Sequence, residues 1–359
     1  MYKLKDFAQD ISVAIKDVQS SPFDRFVGLE HYDSGEPVIT RYTDKSLLSS
    51  SVKEFQKNDI LIARRNVYLK RAGIAFFDGL TSGDSIVLRV YDDCESRTGI
   101  SKQDAIRIIP FILNSNAFWA YANKHADGMN SKRISKEMLY DYEFDLPPIA
   151  EQKVLADKLW AAYRLKESYK KLLTATEEMV KSQFIEMFGD PVSWQTDTSL
   201  PTLNDTVNVI SGFPFDSEKF DTEGVGTPLI RIRDIQRGYS ETFTTEVFDE
   251  QYRIKKYELL VGMDGMFEIA RWQSDEAALN QRVCCLRMKG SENDTFIQYL
   301  VQPILKHIEN GTNATTVKHI STKQINGIRV PIASHEQKNK FAMIANQADK
   351  SGFRTQQIH

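Results

Sequence analysis

A phrase near the middle of the chain is repeated near its end. Residues 133–153 read RISKEMLYDYEFDLPPIAEQK, and residues 319–338 read HISTKQINGIRVPIASHEQK. Both copies place Ile-Ser near the start, then Pro-Ile, then Glu-Gln-Lys. Repeats at this scale decide an architecture before any single motif does. The chain is therefore predicted to be one structural unit written twice.

Bulk composition limits the class of protein. A chain of 359 residues with 41% apolar and 26% charged residues predicts a soluble globular protein of two or three domains. No long apolar run or signal peptide is evident, and three cysteines without a CxxC spacing favour a reducing cytoplasm. The net charge of −3 excludes a uniformly basic nucleic-acid binder, but it leaves local basic patches open.

The stretch from Ile149 to Met187 contains neither Pro nor Gly and predicts one long helix. Pro147-Pro148 precedes it, and Gly189-Asp190-Pro191 follows it, as is typical of helix ends. Apolar residues recur in steps of three and four, which indicates a coiled-coil seam. A helix of about 40 residues spans roughly 60 Å, so it must pack on another long helix or separate two domains.

The flanking segments have matching patterns. Strands are predicted at 59–64 and 85–91 and a helix at 111–125, and these answer to 257–262, 282–287 and 296–308. A shorter second helix is predicted from His335, with a stripe of Phe341, Ile344, Ala348 and Phe353. The predicted fold is α+β, with two globules separated by long antiparallel coiled-coil helices and related by a pseudo-twofold axis. The predicted boundaries are 1–146, 147–190, 191–332 and 333–359.

The order of these phrases resembles the specificity subunits of type I restriction-modification systems. The Pro, apolar and Glu-Gln phrase at 147–153 and 331–338 and the helix end at 181–190 are similar to that family. So are the phrases at 211–213, 227–234, 280–282 and 316–321. The second helix departs from the family, because it is about half as long as the first.

The resemblance implies a non-catalytic subunit with two target-recognition domains and two helical regions. Such a subunit reads a bipartite, asymmetric sequence in double-stranded DNA and positions two adenine-methyltransferase subunits, and restriction/translocase subunits join for cleavage. It binds no cofactor itself, since S-adenosylmethionine, Mg²⁺ and ATP belong to the partners.

Candidate DNA contacts follow from basic and polar side chains in loops. In the first globule the densest patch follows a strand, where cations with Asn and Tyr suit phosphate and base-edge contacts. Its members are Arg64, Arg65, Asn66, Tyr68, Lys70 and Arg71. A solvated hairpin is the alternative. Lys132-Arg133 and Lys318-His319 precede the two Ile-Ser pairs and predict a shared phosphate contact, with Ser135 and Ser321 as helix caps.

In the second globule the loop at 262–272 is predicted to be the counterpart of this patch. Arg271 suits a guanine contact, and Trp272 is either core or a wedge facing DNA. Arg231 and Arg233 are predicted on one face of a strand, with salt bridges to Asp234 as the alternative to DNA contact.

The long helix is predicted to carry the subunit interface, because its apolar stripe is wider than one partner helix requires. The interface residues are Leu155, Leu159, Tyr163, Tyr169, Leu173, Val180, Phe184 and Phe188. No phosphate-binding loop, dinucleotide fingerprint or metal-ligand spacing is present, so no catalytic site is predicted. A coiled-coil scaffold whose globules bind proteins is the alternative function, and an enzyme with a split site is a more distant one.

Overall fold

The computed structural model describes residues 1–15, 17–47, 52–128, 131–311 and 318–356, and its side chains as far as Ala348. Among the residues predicted above, Thr316, Val317 and the side chain of Phe353 lie outside this description. The chain divides into two compact units, residues Met1–Glu167 (unit 1) and Ser168–His359 (unit 2). No helix in the described ranges is long and apolar enough to cross a membrane.

Unit 1 consists mainly of short strands with helices packed on one sheet. Its strands are β1 (Tyr2–Lys3), β2 (Ala8–Asp10), β3 (Ala14–Ile15), β4 (Arg25–Val27), β5 (Val38–Ile39), β6 (Thr43–Asp44), β7 (Val52–Phe55), β8 (Ile60–Ala63), β9 (Ala72–Ala75), β10 (Gly79–Ser82), β11 (Ser85–Val90) and β12 (Glu143–Phe144). Its helices are α1 (Leu4–Phe7), α2 (Cys94–Thr98), α3 (Lys102–Ile112), α4 (Asn116–His125), α5 (Lys136–Tyr140) and the first part of α6 (Ile149–Phe188).

Unit 2 repeats this plan. Its strands are β13 (Val207–Ser211), β14 (Phe220–Asp221), β15 (Thr227–Ile230), β16 (Phe243–Thr244), β17 (Arg253–Ile254), β18 (Leu259–Gly262), β19 (Ile269–Arg271), β20 (Ala277–Leu279) and β21 (Val283–Met288). Its helices are the remainder of α6, then α7 (Leu203–Thr206), α8 (Asp294–Gly311), α9 (Thr322–Asn326) and α10 (His335–Gln356).

The sheets of the two units share a common order of strands, to which β3 and β5 in unit 1 and β14 in unit 2 are additional edge strands. In unit 1 one sheet runs β2-β11-β8-β9-β5, and in unit 2 the equivalent sheet runs β13-β21-β18-β19. A second sheet runs β3-β7-β10-β4-β6 in unit 1 and β14-β16-β15-β20-β17 in unit 2. In each second sheet the central pair, β10 with β4 and β20 with β15, is parallel. Matching topology in both halves fits a duplicated unit.

The strands predicted at 59–64 and 85–91 are confirmed as β8 and β11, which pair antiparallel with Ile60 opposite Leu88. Their equivalents β18 and β21 pair with Leu259 opposite Leu286. The single helix predicted at 111–125 is wrong. The Ser115 hydroxyl accepts the N–H of Phe118 (3.1 Å) and begins a new helix, α4, after α3 has ended.

An ion pair next to the paired strands β8 and β11 is repeated next to β18 and β21. Arg89 donates twice to Asp59, at 2.8 and 2.7 Å, and this hydrogen bonding raises the pKa of Arg89. Arg287 makes the equivalent pair with Glu258, at 2.6 and 3.4 Å. Because Asp59 is buried, removing Arg89 would leave an uncompensated carboxylate in the core.

The long helix α6 has 40 residues, and α10 has 22. Trp160 of α6 packs in the core of unit 1 together with Phe118 and Trp119. Phe184 of α6 packs in the core of unit 2, where its ring lies 5.1 Å from that of Phe341 in α10.

Candidate nucleic-acid interface

In unit 1 the loop between β8 and β9 is fastened to a distant segment that ends at α5. The N–H of Asn66 donates to the carbonyl of Lys132 (2.7 Å), and the N–H of Ile134 donates to the carbonyl of Arg64 (3.1 Å). The side chain of Ile134 is buried and anchors this segment in the core. Two predicted basic patches, far apart in sequence, are thus brought together.

A third segment joins them through Asp84, which directly precedes β11. The N–H of Arg64 donates to the carbonyl of Asp84 (2.9 Å). The Asp84 carboxylate lies 3.2 Å from the guanidinium of Arg65 and 3.7 Å from that of Arg133. We call residues 64–66, 84 and 132–134 the corner of unit 1. Within the corner, the half-exposed side chains of Arg65 and Arg133 are both paired with the carboxylate of Asp84.

Unit 2 contains the same corner, made of residues 263–265, 282 and 318–320. The N–H of Gly265 donates to the carbonyl of Lys318 (2.8 Å), and the N–H of Ile320 donates to that of Met263 (2.9 Å). The N–H of Met263 donates to the carbonyl of Arg282 (3.0 Å). Each backbone bond of the unit 1 corner therefore has a counterpart.

The charges in the two corners are arranged differently. In unit 2 the carboxylate comes from Asp264, in the loop position that Arg65 occupies in unit 1. Its oxygens lie 3.2 Å from the Arg282 guanidinium and 2.5 Å from Nδ1 of His319. Each corner thus groups one carboxylate with two basic side chains. The carboxylate directly precedes β11 in unit 1 (Asp84), whereas in unit 2 it lies in the hairpin loop (Asp264).

The rest of the unit 1 loop projects an aromatic ring. Asn66 and Lys70 adopt left-handed backbone conformations, with φ of 54° and 51°, on either side of a turn at 67–69. Val67 is buried beneath the turn, whereas Tyr68 is 60% exposed. Such conformations cost energy in non-glycine residues, so the fold holds this loop in a defined shape. An exposed Tyr beside cations suits contact with DNA bases or sugars.

Arg71 has a structural role that the sequence did not reveal. Its guanidinium donates to the carbonyls of Leu29 (3.0 Å) and Arg65 (2.8 Å), and burial lowers the pKa of Arg71. The side chain thus supports the loop by hydrogen bonds to its backbone, and these nitrogens are not free to bind a phosphate. Arg64 is half-buried and lies 3.4 Å from the carbonyl of Ile134, so it also faces the corner backbone.

The lysines at equivalent positions differ in exposure. Lys132 is exposed in unit 1. In unit 2 the ammonium of Lys318 donates to the carbonyl of Glu309 at the end of α8 (2.5 Å). The predicted caps are confirmed: Ser135 accepts the N–H of Met138, and Ser321 accepts that of Gln324. They begin the short helices α5 and α9, not the long ones.

The predicted loop at 262–272 is wrong beyond residue 268. The loop of unit 2 is shorter than that of unit 1, and β19 already begins at Ile269. Arg271 therefore lies in a strand, where its guanidinium bonds the Asp294 carboxylate and, at 3.0 Å, the hydroxyl of Thr295. It fastens β19 to the start of α8.

Trp272 is core and not a wedge facing DNA. Its side chain is fully buried, and its indole N–H donates to the carbonyl of Asp275 (2.7 Å). The N–H of Tyr257 donates to the carbonyl of Trp272 (2.7 Å), as that of Asn58 donates to Ala75 in unit 1 (2.7 Å). Trp272 thus fills the place of a buried alanine of unit 1.

The strand predicted at Arg231 and Arg233 is also corrected. β15 ends at Ile230, and residues 232–234 form a turn of 3₁₀ helix that Asp234 caps by accepting the N–H of Arg231 (2.9 Å). Both arginine side chains are exposed. Arg233 lies 3.8 Å from the Asp234 carboxylate, the salt bridge considered above.

These arginines line a cleft with a volume of about 490 Å³ in unit 2. The cleft is walled by Phe215, Ser217, Phe220, Arg231, Ile232, Arg233, Asn280, Gln281 and Arg282. Arg282 belongs to both the cleft and the corner. The phrase at 280–282 is among those similar to the family, but Arg282 was not predicted as a site residue from the sequence. The sequence does contain a signal that points to Arg282. Arg282 matches Asp84, because each directly precedes one of the equivalent strands β21 and β11.

Gly212 allows a close approach between two backbone segments beside this cleft. A Cβ at position 212 would lie 2.0 Å from the carbonyl oxygen of Asn280. The neighbouring N–H of Phe213 donates to the carbonyl of Leu279 (2.8 Å). The phrases at 211–213 and 280–282, separate in the sequence, are therefore in direct backbone contact.

Much of the predicted subunit interface on α6 is already used within the units. Val180 and Phe184 are buried in unit 2, and Phe188 packs against the same core. Tyr163 packs on the core of unit 1. The remaining predicted residues, Leu155, Leu159, Tyr169 and Leu173, are half-buried.

The exposed apolar side chains of α6 lie on other positions. Leu165, Leu172 and Met179 recur every seven residues and are 54%, 58% and 54% exposed. A heptad spacing keeps one face of a helix along its length. This exposed stripe replaces Val180 and Phe184 as the candidate contact surface.

No group of three or more potential metal ligands occurs among the residues that the structure describes. The three cysteines are free and buried, and burial raises the pKa of Cys284 to about 12. A thiol with such a pKa is not ionised at neutral pH and is a poor nucleophile.

Part of the chain is similar to proteins of known kind. Residues 197–357 match the family model described as type I restriction modification DNA specificity domain. The EcoBI specificity subunit of a type I restriction enzyme from Escherichia coli is 33% identical over 162 residues. This match covers 44% of the present chain and 34% of that protein, about a third of its length.

Two solved structures are also similar to this chain. The S subunit of a type I restriction-modification system from M. genitalium has a TM-score of 0.52 and 14% identity, covering 99% of this chain and 90% of that one. The HsdS subunit from Thermoanaerobacter tengcongensis has a TM-score of 0.40 and 13% identity, covering 100% and 90%. The resemblance to specificity subunits is confirmed, and the fold has the mixed helix and sheet content that was predicted.

Proposed function

We propose that this chain is the DNA-sequence-recognition subunit of a type I restriction-modification complex. The observation that carries the proposal is the corner, which is built twice from the same backbone contacts but with different side chains. A shared frame supports docking on DNA in a common way, and different side chains support reading of different sequences. The target is therefore bipartite and asymmetric.

In unit 1 the contacts to DNA come from the corner and its loop. Arg65, Arg133 and Lys132 supply positive charge for phosphates, and Tyr68 and Asn66 supply contacts to bases or sugars. In unit 2 they come from Arg231, Arg233 and Arg282 in the cleft, with His319 beside them. The arrangement of two globules with paired helices, predicted from the sequence, is part of this proposal.

The catalytic partners are two adenine-methyltransferase subunits, with restriction/translocase subunits joining for cleavage. S-adenosylmethionine, Mg²⁺ and ATP are bound by those partners and not by this chain, which has no catalytic role of its own. The complex works in the cytoplasm. The exposed stripe of Leu165, Leu172 and Met179 is the surface that we assign to protein contact, because apolar side chains repeated on one helix face are normally covered.

Gel-shift titration of the purified chain, alone and with its co-expressed methyltransferase, tests this function. Binding should favour one duplex sequence over scrambled competitors and fall steeply with salt, because phosphate contacts release counterions. A chain that binds protein partners but shows no salt-dependent affinity for DNA would instead be the protein-binding scaffold. Arg65→Ala should weaken binding, while Arg97→Ala, an exposed arginine paired with Asp93 outside the corner, is the matched control.

A further inference from the structure

Arg282 is the one corner residue that also lines the cleft of unit 2. Its side chain is 56% exposed, and its Nε lies 3.2 Å from the Asp264 carboxylate. The remaining walls include the exposed or half-exposed polar side chains of Arg231, Asn280 and Gln281. A ligand in the cleft would therefore meet cations and amides together.

Asp264 orients the guanidinium of Arg282 but contacts only part of it. Asp264 is mostly buried, with 19% of its side chain exposed, and it is held from its other side by His319. The contact to Asp264 is made through Nε. This leaves the two terminal nitrogens for a second acceptor pair, and two adjacent acceptors are what the O6 and N7 atoms of guanine present in the major groove.

The comparison of the two corners decides between reading a base and contacting a phosphate. A phosphate contact is common to every DNA sequence, so a docking cation is expected in both units. The equivalent lysines of the two corners are the candidates for it: Lys132 is exposed, whereas the ammonium of the half-buried Lys318 also donates to the carbonyl of Glu309. The equivalent of Arg282 in unit 1 is Asp84, a carboxylate, which phosphate would repel. The charge at this position therefore differs between the units, as a reading position should.

We propose that Arg282 is the specificity-determining residue of unit 2, that it reads a guanine edge, and that Asp264 is its positioning residue. The inference rests on the proposed function and adds to it a named residue and a class of base. It also replaces Arg271, whose guanidinium is committed to Asp294 and Thr295.

The test is the methylation motif of the complex formed with the co-expressed methyltransferase, determined for the wild type and for Arg282→Ala and Arg282→Lys. Both variants should relax one guanine position in one part of the target by roughly ten- to a hundredfold, because lysine keeps the charge but lacks the bidentate fork. The other part of the target should stay unchanged. Arg237→Ala is the control, since Arg237 is exposed and paired with Glu241 outside the cleft.

An unchanged motif in both Arg282 variants would overturn the inference while leaving the proposed function intact. So would a loss of affinity that is equal for all sequences and is rescued by lysine, since that outcome identifies a phosphate contact. A wild-type complex without any sequence preference would overturn the proposed function itself. Asp264→Asn gives an independent arm, in which the same position should relax although Arg282 is still present.

Discussion

Asp84 and Arg282 occupy the same backbone position in the two units and carry opposite charges. The carbonyl of each accepts the N–H of the residue that opens the hairpin loop, Arg64 at 2.9 Å and Met263 at 3.0 Å. The side chain of each pairs across the corner, with Arg65 in one case and Asp264 in the other. The backbone hydrogen bonds of the corner are thus the same in the two units, whereas the charges of its side chains differ.

Removal of the Asp84 carboxylate should strengthen non-specific binding to DNA. Asp84→Asn deletes a negative charge beside Arg65 and Arg133, so the repulsion of phosphates falls and the two arginines are less restrained. We expect affinity for scrambled duplex DNA to rise by roughly threefold to tenfold at low salt. Titration at several salt concentrations measures it, and lower affinity for scrambled DNA would contradict this account of the corner.

Arg271 should matter for stability and not for reading DNA. Arg271→Ala leaves Asp294 without its partner and should lower the free energy of unfolding of unit 2 by about 1–3 kcal/mol. The methylation motif should not change. Urea unfolding of the variant and the wild type provides the measurement, and a relaxed motif with full stability would restore Arg271 as a reading residue.

The effect of Arg271→Ala should also depend on pH. Burial is the largest single influence and by itself would raise the pKa of Asp294, but the hydrogen bond and charge of Arg271, together with hydrogen bonds from Thr295, lower the pKa on balance. A carboxylate with a lowered folded-state pKa stabilises the fold above its unfolded-state pKa of about 4 and loses that contribution as pH falls further. The stability difference between wild type and variant should thus be full at pH 7 and shrink below about pH 4.

A methyl group at position 212 should disturb the cleft of unit 2. Gly212→Ala places a Cβ against the carbonyl of Asn280, so a backbone must shift at an expected cost of about 1–3 kcal/mol. Sequence discrimination should fall along with thermal stability. Gly311→Ala is the control, because a Cβ there has no heavy atom within 4 Å. Equal melting temperatures for the two variants would show that the close approach is relaxed in solution.

Two substitutions on α6 should separate assembly from folding. Leu172 is exposed, so Leu172→Asp should leave melting nearly unchanged but prevent co-purification with the methyltransferase. Val180 is buried in unit 2, so Val180→Asp should destabilise the chain itself by roughly 3 kcal/mol or more. If Leu172→Asp assembles normally, the exposed stripe is not the docking surface, and the half-buried Leu173 is the next residue to change.

The duplicated frame could be predicted from the sequence because strands and caps leave local signals. The β-branched runs before Ala63 and Gly262 and the Ile-Ser pairs at 134 and 320 mark equivalent places without any knowledge of tertiary contacts. The match failed locally after the hairpin loop of unit 2, because this loop is shorter and residues 269–272 slip forward before the match resumes at Arg282. That slip placed Arg271 and Trp272 in a loop when they belong to a strand and the core.

The charged partners could not be predicted, since they come from distant segments. Nothing near Arg282 indicates that Asp264 will hold it, and nothing near Arg65 indicates Asp84. The heptad pattern of α6 likewise identifies apolar positions but not which of them face a unit's own core. Val180 and Leu172 have similar local surroundings, yet one is buried and the other exposed.

The most direct measurement is the methylated sequence in host DNA after co-expression of this chain with its methyltransferase. The account predicts a bipartite, asymmetric motif with two specified parts and an unspecified spacer. It further predicts that Tyr68→Ala, at the exposed ring assigned to base contact in unit 1, relaxes only one part and Arg282→Ala only the other. A single continuous motif, or variants that both affect the same part, would contradict the claim that each unit reads one half of the target.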